Sequence, residues 1–364
     1  MQTGDHVGWE GQPEPPAMAC NHSLLEQERL IYCLTVPLST VIILANLLII
    51  LGIACNRQLH KTPNCLFLSL LVADLCMGVA LPFVPWMGLC RKLDFQSCLA
   101  AHIFPNFLFL SFLFNLVMVH YERYLCIISP LRYSHFWVHR CFPLPLLAAW
   151  ALPLLYASLP AFGWNNRAGP REGECCCAHN GSLELEGLSG DVGPKEEGCS
   201  YKLIFPDAFI YLEVYGLVVP AILSIVAMTG RVLWITRRQL RDICKLHHAV
   251  ERTSVREHRL NLRYAKCVAV VSLSFLVCWV PYIIYMHVSV ALLQRAGTRG
   301  GPQEGMRAAS STVIILSCTG ISSMAITPIV LGLGNREYTD PARKLLGKIR
   351  ARWKRVPKTK EITL

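Results

Sequence analysis

The chain is short of charge. Only 16% of its 364 residues are Asp, Glu, Lys or Arg, against about 25% in soluble domains. With 53% hydrophobic residues, that shortage excludes an ordinary water-facing surface. Acid is scarcer than base, 24 Asp and Glu against 35 Lys and Arg, for a net charge of +11. The excess does not suit nucleic acid, because it lies in short segments flanking apolar runs, where anionic lipid or an intracellular partner answers it. Met1 to Cys20 contain no apolar h-region, so no cleavable signal peptide is expected and the first span is expected to serve as its own insertion signal. No internal repeat or ladder of intramembrane charges is visible, which disfavours a transporter or proton conductor. Cys175, Cys176 and Cys177 with His179 are adjacent side chains that do not easily surround one ion, so no metal and no cofactor is expected.

Seven apolar runs are present, each long enough for a hydrocarbon layer of roughly 30 Å. They cover Leu30 to Ala54, Leu66 to Leu89, Cys98 to Ile128, Phe142 to Gly163, Pro206 to Thr236, Ala265 to Leu293 and Ala308 to Leu333. Basic residues cluster after the odd-numbered runs, as at Arg57, Lys61, Arg132, Arg140, Arg237, Arg238 and Arg241, and again in the tail. The positive-inside rule makes those segments cytoplasmic and puts the N-terminus outside. The expected fold is an all-α membrane protein, a seven-helix transmembrane bundle with a short amphipathic cytoplasmic helix after the seventh span. Its expected layout is an extracellular segment over 1–29, the bundle over 30–334 and a cytoplasmic tail over 335–364. In that tail Leu345, Leu346, Ile349 and Trp353 share one stripe, with Lys344, Lys348, Arg352 and Lys354 elsewhere, the pattern of a helix lying on anionic lipid. No cysteine follows Cys318, so palmitoyl anchoring is not expected there.

Glu122-Arg123-Tyr124 closes the third run. A carboxylate beside a guanidinium at the edge of a hydrocarbon layer is costly unless paired, and so points to function. At about 1.5 Å per helical residue, the interval from Cys98 to Arg123 puts thiol and guanidinium at opposite membrane faces. Seven cysteines fall outside: Cys20, Cys90, Cys98, Cys175, Cys176, Cys177 and Cys199. A bridge from Cys98 to Cys199 would pin the second external loop across the bundle mouth, although spacing alone leaves the connectivity open. Asn21 and Asn180 head glycosylation sequons on segments assigned to the exterior.

Asn46, Asp74, Glu122-Arg123-Tyr124, Trp150, Pro220 and Cys278-Trp279-Val280-Pro281 occur in order, one set per helix. Together they resemble the rhodopsin-like family of G-protein-coupled receptors. That resemblance implies that Arg123 pairs with Glu122 at rest and contacts the G protein after the sixth helix swings out. It also implies that Trp279 lies beneath the ligand, that Pro281 is the kink amplifying its movement, and that Leu131 enters a G-protein pocket. Several positions depart from the family. Thr327-Pro328-Ile329-Val330-Leu331 lacks the usual Asn and Tyr, Met228 replaces a tyrosine, Asn261 stands where an acid often tethers the arginine, and Phe112 replaces a serine near Asp74. A weakened resting tether, a weakened active-state hydroxyl network, raised basal signalling and a poor sodium site are therefore expected.

The ligand class is approached by elimination within the family. Pro105 occupies the aspartate position of amine receptors, and the seventh span lacks the retinal lysine of opsins. Leu159 to Trp164 resembles adenosine receptors, but Met286 falls where they carry a purine-binding asparagine. Phe83, Trp86, Phe107, Phe109 and Tyr285, with Asn106, Glu213, Tyr282, Ser289, His102 and His287, suit an amphipathic lipid or steroid, and Arg91 and Lys92 offer charge to an acidic group. Pro105-Asn106-Phe107, Trp150 to Trp164, Tyr211 to Gly216, Arg238 to Cys244 and Leu331 to Gly334 are similar to the branch of the family that responds to bile acids. That similarity implies a plasma-membrane receptor, not an enzyme, coupled through stimulatory G protein to cyclic AMP. It implies agonist contacts at Asn106, Phe109, Glu213, Tyr282 and Ser289. His102 and Ile321 depart from that branch, which has tyrosine and serine there. The alternatives are a receptor of the same family for another lipid mediator or a nucleoside and, further off, a transporter.

Overall fold

The computed structural model describes residues 16–56, 62–83, 94–129, 141, 143–166, 199, 204–245, 266–285, 287–288, 304–334 and 347. Among them the chain is all-helical. We number the long helices α1 (Pro16–Ala54), α2 (Thr62–Ala80), α3 (Phe95–Ile128) and α4 (Pro143–Ala157). The fifth, α5, is a continuous run of α-helix Asp207–Tyr211, π-helix Leu212–Val218 and α-helix Val219–Lys245. The sixth and seventh are α6 (Lys266–Tyr285) and α7 (Glu304–Gly334). Four stretches are long and apolar enough to cross a membrane: Glu28–Ala54, Phe95–Ile128, Asp207–Arg238 and Lys266–Tyr285. Asn64–Ala80, Pro143–Ala157 and Ile314–Val330 are shorter apolar helices.

Helix limits follow local chemistry. Helix α1 begins at Pro16, well ahead of the first apolar run. Helix α2 stops at Ala80, short of the expected Leu89, because Pro82 has no N–H to continue the ladder. Asp94 caps α3, its side chain accepting from the Ser97 backbone N–H at 3.2 Å, and hydrogen bonds from the Ser97 hydroxyl and then its N–H hold the carboxyl below the ordinary range. Helix α4 gives way to a 3-10 turn over Leu159–Phe162, closed by Gly163 at φ 104°, a left-handed conformation natural to glycine. The π turn in α5 precedes Pro220, which removes one backbone donor, and Val219 N–H bonds instead to Val214 O.

Helix α3 is central, packing against α2, α4 and α5, while α1 packs on both α2 and α7. Helix α6 joins through rings, with Phe275 facing Phe112 at 6.0 Å and Trp279 facing Phe109 at 4.6 Å. Polar ties also cross between helices. Ser39 Oγ donates to Gly78 O at 2.6 Å, Trp150 Nε1 to Ser69 Oγ at 2.8 Å and Trp279 Nε1 to Ser323 Oγ at 3.1 Å. Pro328 leaves the Met324 carbonyl without its helical donor, and Asn46 Nδ2 supplies one from α1 at 3.2 Å.

Helices α1 and α2 meet closely at Gly78, where an added Cβ would lie 2.7 Å from Ile42 Cγ2 and 3.2 Å from Ile42 Cβ. Gly78→Ala is therefore expected to destabilise the bundle by about 1–3 kcal/mol through overpacking, read as a lower thermal midpoint of the purified protein. An unchanged midpoint would mean that the two helices do not approach this closely.

Candidate functional site

The half of the bundle near the start of α3 holds a polar pair in an aromatic setting. Asn106 on α3 donates through Nδ2 to Glu213 Oε2 on the π turn of α5, at 3.0 Å. A π turn inserts one extra residue and re-aims the side chains it carries, and Glu213 is one of them. Beneath the pair Phe109 packs against Trp279 with the rings tilted by 42°, and Tyr282 meets the same indole edge-on at 5.9 Å. The Tyr282 hydroxyl is hydrogen-bonded to Ser317 of α7. Ile321 also packs against this core. Trp279 is held from behind, since a Cβ on Gly320 would lie 2.9 Å from its ring. These groups give a ligand a large apolar wall and a few fixed polar contacts, the composition of an amphipathic-ligand site.

The rim is fixed covalently. Cys98 and Cys199 form a disulfide with Cα atoms 5.5 Å apart, tying the loop before α5 to the start of α3. His102 sits under it, with Nδ1 2.9 Å from Cys98 O and 3.9 and 3.8 Å from the two sulfurs. This Cys98, His102, Cys199 group has the spacing of a metal site, but bridged sulfurs offer no thiolate, so it does not act as one. Phe205 and Phe209 stack at 4.9 Å, and Tyr156 stacks on Phe209 while donating its hydroxyl to Phe209 O at 2.8 Å.

The aromatic residues separate by direction. Phe109 faces α6, whereas Phe107 packs against Trp150 of α4 at 6.1 Å. Phe83 is exposed. His287 meets Tyr215 edge-on at 5.0 Å. Ser289, Trp86, Arg91, Lys92 and Met286 lie outside the described residues.

At the far end of α3 Glu122 is buried and Arg123 partly so, with Arg123 Nε 3.2 Å from Glu122 Oε2. Cys126 Sγ donates to Glu122 Oε1 at 3.3 Å. Tyr124 packs against the main core and Met228 is half-buried. Pro281 lies within α6, two residues after Trp279. In mid-bundle Asp74 is fully buried, with neither carboxylate oxygen hydrogen-bonded to the protein among the described residues. Phe112, also fully buried, fills the space toward Phe275. Leu131, Asn261, Asn180 and the tail over 335–364 apart from Gly347 lie outside the described residues, as does the side chain of Asn21.

Three groups were not singled out from sequence. Tyr156 and Ser317 stand beside the polar pair and Tyr282 and look like ordinary helix residues in a linear reading. The third is a buried chain of His120, Ser272 and Thr229. Its only sequence signal is a histidine inside an apolar run.

Comparison with known proteins adds family-wide observations. The profile described as 7 transmembrane receptor (rhodopsin family) matches residues 45–331. The chain is 36% identical to G-protein coupled bile acid receptor 1 of Mus musculus over 329 residues, covering 88% of each protein. It is 37% identical to the Homo sapiens protein of that name over 313 residues, covering 85% of this chain and 83% of the relative. Adenosine receptor A2b of Homo sapiens is 26% identical over 332 residues, covering 89% of this chain and 92% of that protein.

If Asn106 and Glu213 are coupled as their geometry indicates, a double-mutant cycle of Asn106→Ala and Glu213→Ala on thermal stability, without ligand, gives an interaction energy of about 0.5–3 kcal/mol. Additive effects would break the pair.

Proposed function

The chain belongs to the rhodopsin family of seven-transmembrane receptors, and from that premise we propose that it is a multi-pass plasma-membrane receptor for bile acids or related amphipathic steroids. In this reading its N-terminus is extracellular and it raises cyclic AMP through stimulatory G protein. The carrying observation is the likeness to the bile acid receptors over 85% to 88% of the chain. The Asn106–Glu213 pair, walled by Phe109, Trp279 and Tyr282, is compatible with it.

A steroid nucleus offers wide apolar faces, and burying them at roughly 25 cal/mol per Å² supplies affinity. Its separated hydroxyls would meet Asn106, Glu213, Tyr282 and Ser289, which fix orientation. His102, under the disulfide rim, replaces the tyrosine of the bile-acid branch, and Ile321 replaces a serine. Ile321 lacks a hydroxyl and His102 offers an imidazole in place of a phenol, so hydroxyl recognition would differ and preference among bile acids would shift. Ligand pressed on Trp279 would move α6 about Pro281, opening the inner end where Arg123, Tyr124 and Leu131 would meet the G protein. The Glu122–Arg123 contact opposes this at rest.

A nucleoside ligand is the second reading, supported by the weaker likeness to adenosine receptor A2b and opposed by Met286 at the purine-binding position. Competition between steroid acids and adenosine for one site separates the two.

Cells expressing the chain are expected to raise cyclic AMP when given a panel of bile acids differing in hydroxylation. Silence at saturating dose, with surface expression confirmed, would end the ligand assignment. Arg123→Ala is expected to cut ligand-evoked cyclic AMP at least about ten-fold, the loss of a charge-assisted contact worth roughly 1.5–3 kcal/mol, while steroid binding persists. Undiminished coupling would remove Arg123 from the transducer site.

A further inference from the structure

We propose that His120, Ser272 and Thr229 form a resting latch joining α3, α6 and α5 one helical turn from Arg123, and that α6 cannot leave α3 without breaking it. The inference rests on the receptor reading above, since the motion it restrains is that of α6. His120 Nε2 lies 2.7 Å from Ser272 Oγ, and Ser272 Oγ lies 2.7 Å from Thr229 Oγ1. All three residues are buried, at 3%, 3% and 8% exposure, so water does not compete for these bonds.

Hydrogen-bond inventory gives the chain a direction. A neutral imidazole has one N–H and one lone-pair nitrogen. His120 Nδ1 lies 2.8 Å from Leu116 O, which only accepts, so Nδ1 carries the proton. Nε2 must then accept, and the hydroxyl facing it is that of Ser272. Ser272 in turn accepts from Thr229, and the sequence runs Thr229 to Ser272 to His120 to the Leu116 carbonyl.

The same serine has a second place to put its proton. Its Oγ is 2.9 Å from Val268 O, one turn back on α6, and one hydroxyl hydrogen does not fully serve both acceptors. When α6 departs, Ser272 keeps its bond to Val268 O and gives it the whole of its proton, and Thr229 bonds back within α5 in the manner common to helical hydroxyls. Only His120 Nε2 then loses its partner. The arrangement therefore has two hydrogen-bonded states separated by a modest cost, as a switch requires.

The test uses the full-length receptor in lipid nanodiscs, with nucleotide exchange on purified stimulatory G protein measured without ligand. A single neutral hydrogen bond shifts the resting-to-active ratio about two- to ten-fold. Ser272→Ala and the near-isosteric Thr229→Val are each expected to raise basal exchange by that factor. The combined variant is expected to rise no further than Ser272→Ala alone, because both remove one chain. His120→Ala is expected to raise basal exchange, and His120→Gln, whose carboxamide reaches toward the Nε2 position, to restore it.

A second readout needs no G protein. Spin labels on non-native amino acids at Ser129 and Lys266 report the distance between the inner ends of α3 and α6, and both single variants are expected to lengthen it. Unchanged basal exchange with an unchanged distance distribution, in protein of normal thermal midpoint, overturns the latch. A lengthened distance with a wild type silent toward the G protein even under the bile acid panel supports the latch and overturns the choice of transducer.

Discussion

A polar side chain inside a hydrocarbon layer is costly unless it finds a partner on the protein, and the partnered ones concentrate on α3. Along one helix it carries the disulfide through Cys98, the polar contact to Glu213 through Asn106, the ring against Trp279 through Phe109, the buried imidazole of His120 and the ion pair of Glu122 with Arg123. These partners tie it to the loop before α5, to α5 itself and to α6. The interior is thus a set of directed bonds that fix which helix sits beside which, where an apolar bundle would have only van der Waals packing to choose its register.

The same constraint explains how this bundle tolerates proline. Each proline inside a span frees a carbonyl one turn earlier, and in a membrane that carbonyl must be served by the protein. At Pro328 the service comes from another helix, through Asn46 to Met324 O, so a local defect becomes a tertiary tie. At Pro220 the backbone itself adapts, widening into a π turn that carries Glu213 toward Asn106. A missing N–H thus becomes a positioned carboxyl.

How much of this is legible in the sequence depends on the range of the interaction. Hydropathy places seven helices because apolar runs are local, and Glu122-Arg123 is conspicuous because charge is rare in such runs. Helix α2 ends earlier than its hydropathy implies because Pro82 acts through hydrogen bonding, to which a sum over side-chain polarity is blind. The direction of a ring is not legible either. Phe107 and Phe109 differ by two positions, and one faces α4 while the other faces α6. Least visible are partners distant in sequence. Nothing near His120 announces Ser272, and nothing near Tyr282 announces Ser317, because only the packed bundle sets them side by side.

In the proposed reading α3 is one rigid element shared by two ends, so that occupancy at Asn106 and Glu213 would be felt at Arg123. Linkage requires such coupling to be reciprocal, with the transducer tightening the ligand by the factor that the ligand favours the transducer. The direct measurement is the affinity of a labelled bile acid for the purified receptor in nanodiscs, with and without nucleotide-free stimulatory G protein. Tighter binding in its presence, by about 5- to 150-fold, is the predicted result. Equal affinity in both conditions would contradict the claim that the two ends are coupled.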